Sequence, residues 1–277
     1  MPNIAYFHPQ IVHFVVALLL VGVLLRVVSL ANKWAFTGPA AATLIFLGTA
    51  AAVAAAKSGT DAHGPVERIP GARSAVTQHE DAGEWARDVF LVVAALELAA
   101  LALGRKPVRR WVLTASGVVG LVGLATVYRA SELGGQLVYK YAGGVGTRYG
   151  DSTDVQRLLL AGFYQQAMQD RAAKRPNAAA QTIALMTQRF PGDPNVQLLH
   201  AESQLLDLKD AKAALATLAQ ITVPADNRAM SSRVGFLKAD AYAAAGLRDS
   251  ARVTLEALSR VFPNNPRIKQ RLQQLQQ

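Results

Sequence analysis

The chain contains no cysteine, and aromatic residues make up only 7% of it. The lack of cysteine excludes disulfides, thiolate zinc sites, iron–sulfur clusters and the covalent attachment of c-type haem. Any haem would therefore be bound non-covalently. The scarcity of aromatics, together with abundant alanine, favours closely packed helices over a β-rich core, so we expect an all-α fold.

Two functional classes find little support in the composition. The net charge is +10, but the basic residues are not gathered into a stripe with stacking aromatics, which a nucleic-acid surface requires. The sequence also shows no convincing nucleophile with a base, no paired catalytic carboxylates and no site for a metal-activated water. We therefore expect neither a nucleic-acid partner nor a catalytic site.

Four apolar segments in the first half of the chain could each cross a bilayer, which takes about 20 residues in a helix. They cover residues 11–30, 38–56, 88–104 and 111–128. The sequence therefore predicts an integral membrane domain in residues 1–150, built as a four-helix transmembrane bundle. A soluble domain is expected in residues 151–277.

The distribution of basic residues predicts an orientation. Basic residues gather at one end of the predicted bundle, at Arg26, Lys33, Arg105, Lys106, Arg109 and Arg110. Cytoplasmic loops collect such residues. The protein is therefore expected to be a multi-pass protein of the cell inner membrane, with both termini in the periplasm.

Four of the five histidines fall at the opposite end of the predicted bundle: His8, His13, His63 and His79. An even number of crossings separates them, so they share one membrane face in either orientation. His8 and His13 are about 140° apart around a helix, so each needs a ligand partner from another segment. Bundle cores can hold cofactors between facing helices, which makes a bis-histidine haem b one hypothesis. Its preferred pair is His13 with His79, and the next is His8 with His63.

Other interpretations of the histidines stay open at this point. They can be polar residues of the headgroup region, a proton relay or pH sensor, or ligands of another metal. Residues 74–88 contain no proline, so the third helix can begin well before the bilayer and carry His79 on an outward extension.

Two charged residues, Arg26 and Glu97, lie inside the apolar segments. The first and third segments run in the same direction, and both charges lie near the same end. Pairing would avoid the cost of a lone charge in hydrocarbon. We therefore predict an ion pair that clamps two helices, and prefer this to a translocation site in a small transporter.

The region after the fourth segment is rich in glycine and tyrosine. Tyr139, Lys140 and Tyr141, with Arg148 and Tyr149, predict an aromatic and basic collar at the headgroups. The fourth segment itself carries Gly117, Gly120 and Gly123, which is typical of helices whose backbones approach closely.

Several of these stretches together resemble a known family. The stretches are HPQIVHF at the start, SGTDAH after the second segment, His79, and GGQLVYKYAGGVG after the fourth segment. Together they resemble the bacterial membrane family called domain of unknown function 2231, over about residues 5–147, although Val15 stands where that family usually has proline. The resemblance implies four membrane spans. Some members are fused to cytochrome-type domains, which implies redox surroundings.

The second half repeats itself. Residues 177–194 align with residues 249–266 at an offset of 72, which places Ala179 on Ala251, Ile183 on Leu255, and Met186 on Leu258. The last unit resembles tetratricopeptide repeats, with matching residues at Ala239, Tyr242, Gly246, Ala251, Leu255 and Pro263. This resemblance implies an α-solenoid of three hairpins with a polar closing helix, and a concave groove that binds another protein.

The function predicted from these features is that of an accessory or scaffold subunit. The bilayer and other subunits of a membrane complex, or an extracytoplasmic protein bound in the repeat groove, are the expected partners. The alternative is a b-type haem protein that transfers electrons through bis-histidine ligation.

Overall fold

The computed structural model describes residues 3–147, 151–224 and 226–275. Helix accounts for 83% of the structure, and the described residues contain no strand. The all-α fold expected from the composition is therefore confirmed. The chain divides into two compact units, Met1–Val155 and Gln156–Gln277. The functional separation of residues 1–150 from residues 151–277 stays a prediction.

The first unit contains four long helices. They are α1 (His8–Ser29), α2 (Thr37–Glu67), α3 (Arg73–Ala102) and α4 (Arg109–Tyr141). A 3-10 turn (Ala5–Phe7) precedes α1, and a short helix α5 (Gly143–Thr147) follows α4. Both α1 and α3 pack along α2 and α4. Consequently α1 and α3 occupy diagonally opposite positions in the arrangement of four helices.

Local sequence sets the ends of these helices. Pro9 lies in the first turn of α1, where its missing N–H costs no hydrogen bond. Gly71 and Gly104 adopt positive φ angles of 83° and 56° in the connections on either side of α3, a conformation that glycine accepts readily. Ala142, with φ of 53°, ends α4. As the absence of proline predicts, α3 begins at Arg73, well before its apolar half.

Three helices of the first unit are long and apolar enough to cross a membrane. They run over Ala5–Ser29, Thr37–Glu67 and Arg109–Tyr141. Helix α3 is equally long but less apolar, because its last 18 residues include three charged side chains, Arg87, Asp88 and Glu97. The membrane character of the chain is thus confirmed for three helices, and a crossing by α3 stays a prediction.

The core of the first unit is packed through small residues. Leu19, Val23, Ile45, Phe90 and Val93 are its most buried large side chains. A Cβ atom on Gly120 would lie 2.9 Å from Val23, and one on Gly123 would lie 2.8 Å from Phe90. The glycines of α4 therefore let α1 and α3 approach its backbone, as the sequence predicts.

The second unit is a succession of shorter helices. They are α6 (Ser152–Ala172), α7 (Pro176–Arg189), α8 (Pro194–Leu206), α9 (Ala211–Gln220), α10 (Arg228–Ala244), α11 (Arg248–Val261) and α12 (Pro266–Leu275). From α7 onward each helix packs against the next, and α8 also contacts α10. Asp193, Asp210 and Asn227 cap α8, α9 and α10 by accepting backbone N–H bonds.

The same turn recurs three times in the second unit. Lys174, Lys209 and Gly246 have positive φ angles of 58°, 59° and 77°, and each lies two residues before a helix begins. The helix ends at Phe190 and Phe262 are also alike, with φ and ψ of −127° and 58° against −129° and 63°. Backbone geometry therefore follows the internal repeat seen in the sequence.

A close contact inside the last of these helix pairs can be tested. A Cβ atom on Gly235 of α10 would lie 2.6 Å from the buried side chain of Leu258 in α11. We expect Gly235→Ala to lower the unfolding free energy by about 1–3 kcal/mol, because either the Leu258 side chain or the two helices must shift. Thermal unfolding followed by circular dichroism measures the change.

The matched control is Gly162→Ala in α6, where the added methyl group meets no atom within 4 Å apart from its chain neighbours and the nearby backbone of its own helix. This change should leave stability the same or raise it, since alanine is the better helix former. Equal unfolding temperatures for the two variants would contradict the close packing.

Candidate functional site

His8 and His79 meet at the end of the first unit where α1 begins. His8 is the first residue of α1, and His79 lies in the second turn of α3. Their ring centroids are 6.1 Å apart, and the ring planes are inclined by 78°. Since α1 and α3 are diagonal to each other, the two half-buried imidazoles meet between the helices.

Both imidazoles are anchored through the same nitrogen. His79 Nδ1 donates to the carbonyl oxygen of Ala130 at 3.0 Å. His8 Nδ1 lies 2.8 Å from Ser58 Oγ, whose own hydroxyl donates to the carbonyl oxygen of Ala55. Ser58 therefore accepts the bond from His8, because its single hydrogen is already used. In both rings Nδ1 carries the hydrogen, and Nε2 is left with a free lone pair.

Two glycines make room for the rings. A Cβ atom on Gly134 of α4 would lie 2.8 Å from Cε1 of His79, and one on Gly59 of α2 would lie 3.3 Å from Cε1 of His8. Any side chain at Gly134 would therefore push the His79 ring out of place. Gly59 and Gly134 belong to the SGTDAH and GGQ stretches, so motifs distant in sequence converge on one pair of histidines.

The other two histidines of this end are placed differently. His13 is exposed, and its Nδ1 bonds the carbonyl oxygen of Pro9 in its own helix. His63 is half-buried between two carboxylates, with its Nε2 3.2 Å from Glu80 and its Nδ1 3.6 Å from Glu67. The partner that the structure brings to His79 is thus His8, and neither predicted pair, His13 with His79 or His8 with His63, is formed.

The reason for this difference lies in the start of α1. The sequence could separate His8 from His13 around the helix but could not say which of them faces inward. Asp61 accepts a hydrogen bond from the backbone N–H of Ile4 at 3.0 Å and pairs with Lys57. This contact fixes the segment before α1, and His8 then points toward Ser58. The i, i+4 spacing of Lys57 and Asp61 predicts their ion pair on α2, but nothing in the sequence indicates the bond from Ile4.

Burial of His79 favours the neutral form of its imidazole. Burial lowers the pKa of His79, against the opposing effects of the Ala130 carbonyl and Glu80. A neutral imidazole is the form that binds metal ions. Among the described residues, no group of three or more histidine, aspartate or glutamate side chains could hold a metal ion.

A buried ion pair lies deeper in the same four helices. Arg26 of α1 pairs with Glu97 of α3, with Nε donating to Oε1 at 2.6 Å, and both side chains are at most 3% exposed. Ser116 of α4 also donates to Glu97. The remaining guanidinium donors reach Ser29 and the carbonyl oxygen of Gly38. The pair therefore joins α1 to α3 across the diagonal with its polar atoms satisfied.

The residues of the predicted collar differ in their exposure to solvent. Tyr139 is 90% exposed and Lys140 is exposed, whereas Tyr141 packs inward against Val66, Val76 and Leu137. Arg148 and Tyr149 lie outside the described residues. Helix α4 reaches Tyr141 without a break.

Removal of one partner tests the buried pair. Glu97→Gln leaves the Arg26 charge buried without a counter-ion, so we expect the unfolding free energy to fall by about 3–5 kcal/mol. The double change Arg26→Met, Glu97→Met should recover most of this loss, because no charge is then left unpaired. Unfolding of the purified protein in detergent measures both.

The surface pair of Arg129 and Glu132 supplies the control, with side chains 56% and 43% exposed. Glu132→Gln should change stability by no more than about 0.5 kcal/mol. A Glu97→Gln protein as stable as Glu132→Gln would show that the buried pair does not clamp the helices.

Comparison with known proteins agrees with the helical geometry of the first unit. The family described as "Predicted membrane protein (DUF2231)" matches residues 6–147, which contain all four long helices. No curated protein and no solved structure matches the chain. The match covers half of the chain, and the protein therefore belongs to the DUF2231 family of predicted membrane proteins.

Proposed function

We propose that the protein is an integral membrane accessory or scaffold subunit. Four helices cross the inner membrane, and the second unit binds a segment of another protein outside the cytoplasm. The observation that carries this proposal is the threefold recurrence of one turn geometry, at Lys174, Lys209 and Gly246, in a chain that also carries membrane helices.

The apolar outer face of α3 and its ion pair support a crossing by this helix. Leu91, Val92, Leu98 and Leu101 are exposed by 45% to 58%, so the surface of its second half is apolar. Glu97 is the only charge in residues 89–102, and Arg26 neutralises it inside the group. The cost that excludes α3 as an isolated membrane helix is therefore offset once Arg26 of the diagonally opposite α1 pairs with Glu97.

Exposed aromatic side chains support a membrane slab around all four helices. Trp34, Phe36 and Trp111 lie at one end, and Phe14, Trp85 and Tyr128 form a second ring. Trp111 and Tyr128 are 17 residues apart, which is about 25 Å along a helix. Aromatic residues favour the membrane–water interface, and a hydrocarbon core is about 30 Å thick. Tyr139 and Lys140 then lie beyond the headgroups rather than in a collar.

This slab puts the histidine pair outside the hydrocarbon. His8 and His79 are each six residues beyond the second aromatic ring, about 9 Å along a helix. The basic residues Lys33, Arg105 and Lys106 lie at the other end, which favours the cytoplasm for that side. The histidine pair and the second unit are then extracytoplasmic, in a periplasm where the cell has one.

The second unit fits a tetratricopeptide-like solenoid of three hairpins. The aligned residues of the two outer units are buried in both copies, including Ala179 with Ala251 and Ile183 with Leu255. Helices α8, α10 and α12 line one groove of about 580 Å³. In stacked helix pairs such a groove is the usual protein-binding surface.

The charges of the groove indicate the chemistry of its partner. Glu202 pairs with Arg171, and Asp240 pairs with Arg271. Arg233 and Arg267 also line the groove, and neither makes a salt bridge among the described residues. Leu205, Phe236 and Leu237 supply an apolar floor. An acidic segment with apolar side chains fits this surface.

The number of crossings can be tested by cysteine labelling, because the natural chain has no cysteine. Single cysteines replace four exposed residues: Asn32, Gln78, Lys106 and Asn264. With four crossings, an impermeant thiol reagent labels Gln78→Cys and Asn264→Cys in intact cells, and labels the other two only after permeabilisation. If α3 does not cross, Lys106→Cys instead shares the side of Gln78→Cys.

Binding through the groove can be tested by charge reversal. We expect Arg233→Glu with Arg267→Glu to reduce co-purification of membrane partners with the full chain about tenfold or more, since binding energy concentrates in few residues. The control reverses the exposed Lys212 and Arg248, which lie on α9 and α11 away from the groove. Equal loss in both double variants would argue against groove binding.

A second candidate function is electron transfer through a b-type haem. The observation that favours it is the pairing of His8 with His79 between diagonal helices, where bundles hold cofactors. In this function the ligands are His8 and His79 rather than His13. Purified protein would then show the Soret band of a haem with two imidazole ligands.

A further inference from the structure

We propose that His8 and His79 coordinate one d-block metal ion through their two Nε2 atoms. The ion is either the iron of haem or a free soft ion such as Cu(I), and both use the same imidazole chemistry. The site is the one that the electron-transfer function needs, but it does not depend on that function, because a free ion would bind the same two atoms.

The separation of the rings matches two ligands on one ion. When its two bonds are in line, an ion with metal–nitrogen distances of about 2 Å on each side holds two imidazole centroids about 6 Å apart. The observed separation is 6.1 Å. The ring planes can take any angle about the metal axis, so their inclination of 78° fits equally well.

The hydrogen bonds at Nδ1 prepare both rings for metal binding. Metal-binding histidines commonly donate their second ring N–H to an oxygen atom, which fixes the tautomer and raises the basicity of the ligand atom. Ser58 Oγ has this role for His8, and the Ala130 carbonyl oxygen has it for His79. Since each Nε2 carries a lone pair, two metal–nitrogen bonds form without release of a proton.

The number of ligands selects the kind of metal. A structural zinc ion needs four ligands, and calcium or magnesium needs six or more, mostly oxygen atoms. The described residues hold no cluster of three or more candidate ligands. Two imidazoles suffice for haem iron, whose macrocycle fills the other four positions, and for Cu(I), which accepts low coordination.

The test uses the full chain in detergent, freed of metal and titrated separately with haemin and with Cu(I). Binding of either probe at one equivalent supports the site, and the probe that binds identifies the source of the metal. His8→Gln and His79→Gln should each abolish this binding, whereas His13→Gln should not. Ser58→Ala should weaken it about 10- to 100-fold, because Ser58 only positions His8.

Folding of each variant is checked by its unfolding temperature. His79→Gly offers a second measurement, since free imidazole added to this variant should restore binding. Failure of both probes to bind the natural chain would overturn the site, as would equal losses in His13→Gln and His8→Gln. Either result leaves the membrane topology and the groove untouched, because those are measured without metal.

Discussion

The buried pair of Arg26 and Glu97 is the constraint on which the first unit depends. It joins the two helices that do not pack directly along each other, and Ser116 ties it to a third helix. Without it, α3 would bring a lone carboxylate into the interior, at a high energetic cost. The pair also fixes α1 against α3 along their length. The same register brings His8 level with His79 at the far end.

Close approach of the helix backbones complements this polar contact. Leu19 fits against Gly48, Val23 against Gly120, and Phe90 against Gly123. In a membrane, lipid tails are as apolar as the side chains, so helices associate through packing rather than through burial from water. The glycines let large side chains of one helix lie on the bare backbone of another, while the ion pair sets the register in which they meet.

Much of this architecture could be predicted from the sequence. Long apolar segments, a proline-free stretch before α3 and glycines spaced by three in α4 each have a direct physical meaning. Arg26 and Glu97 could be paired because the two segments run in parallel. The contact between His8 and His79 could not be predicted, because Pro9 and the rotation per residue do not decide which way His8 points. A bond from Ile4 to Asp61, between residues 57 positions apart, decides it. Likewise, nothing in the sequence distinguishes Ser58 from other helix residues, and only the structure shows that it bonds His8.

One feature of α1 gives the histidine pair an unusual setting. Around it, α2 continues nine residues beyond Ser58, α4 continues eleven beyond Ala130, and α3 begins six before His79. Helix α1 instead starts at His8, and residues 3–7 contribute only one 3-10 turn on that side. The histidine pair is thus flanked on three sides by helices that extend past it, whereas on the fourth side the helix begins at His8 itself. The fourth side is instead closed by the segment that the hydrogen bond from Ile4 to Asp61 holds in place, so loss of that one bond would change the surroundings of His8 without disturbing the long helices.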